Sequence, residues 1–111
     1  MKKYTLKWIT QRITALILIP LTFWFVNKSI TFSLMNYDQI VFFFSSIFNA
    51  ILFYIMMITM IIHAKLGCET ITEDYISSKN YKNLTKLFIN IITYTLVLIT
   101  TFSILKITFF L

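Results

Sequence analysis

The chain has 111 residues, of which 59% are hydrophobic and 18% aromatic, with a mean hydropathy of +0.82 and a net charge of +6. Charged residues make up 13%, about half the soluble share of about 25%, so a water-soluble domain of this size is excluded and the solvent must be lipid. The basic residues flank apolar runs rather than forming a patch with interleaved aromatics, so the charge speaks to membrane orientation and not to nucleic acid.

The N-terminal segment carries Lys2, Lys3, Lys7 and Arg12, with Trp8 placed as an interfacial anchor. A cleavable signal peptide would begin in the same way, but the apolar run that follows is too long and no small-x-small site ends it. A spanning helix needs about 20 apolar residues, and the first candidate is 13–34. Pro20 inside it removes one backbone hydrogen bond and predicts a kink. Lys28 lies in its outer third and can snorkel to the interface. The link 35–39 is short, so the first two spans are antiparallel neighbours.

The second candidate span is 40–66, free of charge from Ile40 to Ile62. The third is 87–111, with Lys106 near its outer end. These runs are too long for strands and lack alternation, so the fold class is all-α: a single integral membrane domain of three helices. Basic residues number four in the N-terminal segment and four more at Lys65, Lys79, Lys82 and Lys86, against Lys28 and Lys106 elsewhere. The positive-inside rule then places the N-terminus and the 67–86 loop inside and the C-terminus outside. The only turn-like cluster is Ser77-Ser78-Lys79-Asn80. The single cysteine, Cys68, excludes an intrachain disulfide and a cysteine-only metal site.

His63, the only histidine, lies near the end of the second span. An ionisable ring at that depth is by default a functional hypothesis, and neutral imidazole is a common metal ligand. A helix continued past the membrane edge puts His63, Gly67, Thr70 and Asp74 on one face, spread over about 16 Å. Tyr75 follows about 100° around. Gly67 lets a flat macrocycle or a neighbouring backbone approach. His63 can ligate haem iron, with a second histidine from a partner chain. The Tyr75 hydroxyl can donate to a quinone carbonyl, and Asp74 can hold a partner arginine or pass protons. Arg12 can neutralise a haem propionate. Plainer readings stand beside these: an interfacial, hydrogen-bonded histidine, a glycine for helix packing, a solvated Glu73–Asp74 pair, an aromatic-belt tyrosine and an orienting arginine.

The run His63-Ala64-x-Leu66-Gly67, followed by Ile71-Thr72-Glu73-Asp74-Tyr75, resembles the hydrophobic membrane-anchor subunits of succinate dehydrogenase, respiratory complex II. Trp8 and Gln11-Arg12-Ile13-Thr14-Ala15 resemble the opening of that family. The resemblance implies a three-helix anchor in a bacterial or mitochondrial inner membrane. It would pair with a second anchor, a cytochrome b subunit, and dock an iron–sulfur subunit and a flavoprotein subunit, which carries succinate oxidation. It further implies that His63 is an axial ligand of haem b, that Tyr75 and Asp74 belong to the ubiquinone site, and that Arg12 lies near the haem propionates. The fumarate reductase anchor shares this architecture. A small transporter would need an acid in mid-span, and none of the four acids lies there. A pore-forming or structural protein suits the composition but gives no reason for the His–Gly–Asp-Tyr spacing.

Overall fold

The computed structural model describes the backbone of residues 2–110 and the side chains of residues 5–110. Four α-helices follow in chain order: α1 (Lys2–Phe32), α2 (Tyr37–Ser45), α3 (Ile47–Tyr75) and α4 (Lys79–Leu105), the last continued by a π-helical turn at Lys106–Phe110. Three segments, Thr5–Phe32, Ile47–Tyr75 and Lys79–Phe110, are long and apolar enough to cross a membrane. With α2 set apart, this is the all-α, three-span architecture expected of an integral membrane protein.

The helix limits differ from the apolar limits in three places. First, α1 begins at Lys2 rather than Ile13 and runs unbroken through Pro20, so Arg12 lies within the helix rather than at its start. Second, the expected span 40–66 is divided. Its first residues form α2, opened by a capping box in which Asn36 accepts from the Gln39 amide and Gln39 accepts from the Asn36 amide. Ser46 is then extended, at φ −75° and ψ 122°, and α3 starts at Ile47. At the break the Phe43 carbonyl accepts from the Ser46 amide N–H at 3.4 Å and from the Asn49 side-chain amide at 3.2 Å. Third, the expected 67–86 loop shrinks to Ile76–Ser78, because α3 runs on to Tyr75 and α4 starts at Lys79. The expected end of the third span, Leu111, lies outside the described residues.

Among the described residues α3 is the central helix, packed on α1 along one side and on α4 along the other. Its sequence provides for this with two stripes. Ala50, Ile61 and Thr72 are buried on one, and Met56 and Thr59 on the other. At about 100° per residue these stripes lie on opposite sides of the helix. Tyr54 shares the first stripe, and its hydroxyl lies 2.8 Å from Thr101 Oγ1 of α4. His63 shares the second. Small residues at these seams let helices approach where lipid supplies no hydrophobic drive. At the end carrying the α1–α2 link, Phe32, Phe43, Phe44 and Phe53 cluster with ring centroids 5.0–6.0 Å apart, edge to face except for the tilted Phe32–Phe44 pair. Lys28 Nζ sits 5.6 Å from the Phe43 ring, so it ends on an aromatic face as well as near the interface.

Candidate functional site

The His63 ring stands at the α1–α3 seam. Its Nδ1 lies 3.0 Å from Thr14 Oγ1, and Thr14 is only 7% exposed. The same Thr14 oxygen is 2.9 Å from the Thr10 carbonyl and 3.0 Å from the Gln11 carbonyl. The other ring nitrogen, Nε2, has no protein partner among the described residues and is not sealed from its surroundings. His63 lines a shallow open groove of about 340 Å³ on the outside of the helix pair, walled by Ala15, Leu18, Ile19, Thr22 and Phe23 of α1.

This arrangement fits a haem better than a bare metal ion. Among the described residues no three His, Cys, Asp or Glu side chains gather closely enough to hold an ion. One imidazole with an open nitrogen, beside an apolar wall that includes alanine, suits a flat macrocycle ligated from one side, the second ligand coming from elsewhere. Gly67, one turn further along α3, has open space around it: an added Cβ would meet nothing within 4 Å. The fold of this chain therefore does not itself require glycine there.

The remaining expected residues lie towards the same end of α3. Asp74 and Tyr75 are exposed, Tyr75 at 84%, and neither has a polar partner among the described residues. They are separated from His63 by about 16–18 Å of helix. Arg12, exposed on α1, sits 5.3 Å over the Trp8 ring and makes no ion pair among the described residues. The structure thus joins His63 to α1, leaves Asp74 and Tyr75 exposed, and sets the exposed Arg12 against Trp8 of its own helix.

The expected Glu73–Asp74 pair separates. Glu73 turns to α4, where it meets Lys86, with Lys82 at 3.9 Å. Glu69, not singled out from the sequence, pairs with Lys7 of α1 at 2.6 Å and Lys65 at 3.8 Å. These acids clamp the lysine-rich end of α3 to both neighbours. Sequence reasoning also missed Thr14 as the partner of His63. The available signal was a hydroxyl residue one position before Ala15 in an apolar span, which a helix keeps only when it bonds its own carbonyls or a neighbour.

Residues 1–102 match the family model described as succinate dehydrogenase/fumarate reductase transmembrane subunit. The chain is similar to the succinate dehydrogenase hydrophobic membrane anchor subunit of Rickettsia bellii, 33% identical over 76 residues, which is 68% of this chain and 61% of the relative. The subunits of the same name from Rickettsia prowazekii and Rickettsia typhi are 29% and 28% identical over the same coverage. The chain therefore aligns with somewhat under two thirds of the length of these relatives. No solved structure matches it.

Proposed function

Since the chain belongs to the succinate dehydrogenase/fumarate reductase transmembrane subunit family, we propose that it is the smaller membrane anchor of a succinate dehydrogenase, supplying half of a haem b site and part of a ubiquinone site. The observation that carries this reading is the His63 ring, with one nitrogen engaged by Thr14 and the other open in a groove on the outer face of α1 and α3. In this reading Nε2 of His63 would ligate a haem iron, together with a histidine of the larger anchor. Haem bound there accepts and passes single electrons. Arg12, free of ion pairs among the described residues, neutralises a propionate. Gly67 leaves room beside the ring for the macrocycle or the partner's backbone.

The quinone end uses Asp74 and Tyr75. A phenol hydroxyl donates a hydrogen bond to a quinone carbonyl, and it becomes a better stabiliser as that oxygen gains electron density. Asp74, lacking a partner among the described residues, pairs with an arginine of the larger anchor and keeps a charged, hydrated route for the two protons that quinone reduction takes up. The lysine-rich end, formed by the start of α1 and the α3–α4 connection, faces the cytoplasm or matrix, following the charge asymmetry. There the anchor pair docks the iron–sulfur and flavoprotein subunits. The named relatives favour succinate oxidation over fumarate reduction.

Mass spectrometry of what co-purifies with the tagged chain in mild detergent tests this directly. Recovery of a flavoprotein, an iron–sulfur protein and a second small anchor, together with a b-type difference spectrum, is the expected result. Recovery of the chain alone or as a homo-oligomer would overturn it and bring a pore or transporter forward.

A further inference from the structure

We infer that Thr14 is a positioning residue that holds the His63 ring in the tautomer able to bind iron, with the proton on Nδ1 and the lone pair on Nε2. This rests on the reading of His63 as a haem ligand. The number of hydrogens at Thr14 decides the tautomer. Thr14 Oγ1 has one hydrogen and three polar neighbours: the Thr10 carbonyl at 2.9 Å, the Gln11 carbonyl at 3.0 Å and His63 Nδ1 at 3.0 Å. Carbonyl oxygens only accept.

Suppose the hydroxyl donated to Nδ1. Its oxygen would then face two carbonyl oxygens with no hydrogen between them. The ring proton would sit on Nε2, where this chain offers no acceptor among the described residues, and that nitrogen could not ligate. Suppose instead that the hydroxyl donates to a carbonyl of its own helix, as threonines in helices commonly do. Its oxygen then accepts the Nδ1 hydrogen. Every donor is matched, and the Nε2 lone pair is left open. Thr14 is 7% exposed, so little water competes for the bond. Hydrogen bonding at the far ring nitrogen fixes ring orientation and makes the ligating nitrogen more basic, which favours ferric over ferrous iron.

The test uses the whole complex, purified in mild detergent, carrying Thr14→Val, Thr14→Ser or His63→Ala. Valine keeps the shape of threonine and loses the hydroxyl. Thr14→Ala adds no bulk and takes its place where valine blocks assembly. Readouts are haem content per flavin, haem affinity, the midpoint potential of the haem and the g-values of its oxidised low-spin signal. Thr14→Val is expected to assemble, to lose about tenfold or more in haem affinity, to shift the potential upward and to alter the g-values, and Thr14→Ser is expected to restore all three. Wild-type g-values, potential and haem affinity in Thr14→Val, with haem lost in His63→Ala, would overturn the role of Thr14 and leave the haem reading intact. An unaltered haem spectrum in His63→Ala would overturn both.

Discussion

Tyr75 ends α3 with its hydroxyl unengaged among the described residues, so its oxygen makes no contact there that holds the fold. That makes Tyr75→Phe a clean probe: one atom is removed and no packing changes. We expect complex assembly and the haem spectrum to stay as they are while ubiquinone reduction falls by about 100-fold, in the range for a lost proton donor. Succinate oxidation with an artificial acceptor, assayed in parallel, should not change; unaltered ubiquinone turnover would remove Tyr75 from the site. His63 shows why single-residue readings need neighbours. A hydrogen-bonded interfacial histidine and a metal ligand look like rival roles in a sequence. The two are compatible, because an imidazole has two nitrogens and among the described residues only Nδ1 is engaged.

The helices carry information that no single residue does. Because α3 is buried on two opposite sides, its apolar residues do not gather on one face, and a periodicity search finds no stripe to point inward. The seams are held instead by small side chains, by two interhelical side-chain hydrogen bonds within the apolar stretch, Thr14 to His63 and Tyr54 to Thr101, and by the Glu69–Lys7 and Glu73–Lys86 ion pairs at the lysine-rich end. Tyr54→Phe should cost about 0.6 kcal/mol, the typical value for such a bond in a membrane protein, measurable by unfolding in mixed detergent and matched by Thr101→Val. The two changes together should cost little more than either alone. At the opposite end of the bundle from the lysine cluster, Asn36 closes the capping box of α2. Asn36→Ala is expected to lose about 1 kcal/mol with no effect on haem or quinone, seen as a lower unfolding midpoint of the complex.

Taken whole, the chain measures 50 × 25 × 24 Å, longer than the bilayer hydrocarbon of about 30 Å. Both ends therefore reach beyond the apolar layer. Phe44, Ala50, Met56 and Ile61 are its only buried hydrophobic residues among those described, while Phe23, Phe42 and Phe88 stand well exposed. Such a surface is stable only under lipid or another chain. The antiparallel run of α1, α3 and α4 brings the start of α1 and the α3–α4 connection to one end and the α1–α2 link to the other. Impermeant maleimide labelling in a Cys68→Ser background tests which end lies inside. Ser77→Cys is expected to react only from the cytoplasmic or matrix side and Ser33→Cys only from the opposite side; the reverse pattern would invert the orientation.

Composition and hydropathy alone determined the lipid solvent, the all-α class and the number of spans, because an apolar run of that length has no other stable environment. That His63 to Tyr75 share one helix was equally legible, since residues within one helix keep their spacing as chain distance. Helix limits were not legible: hydropathy reports where side chains meet lipid, whereas a helix ends where its backbone hydrogen bonds end. Thus α1 and α4 continue through charged residues, and the uncharged run from Ile40 breaks at Ser46, where the Phe43 carbonyl accepts from the Ser46 amide and the Asn49 side chain. Thr14 and His63 are 49 positions apart. Only the register of α1 on α3, set by packing along the whole seam, decided that they meet.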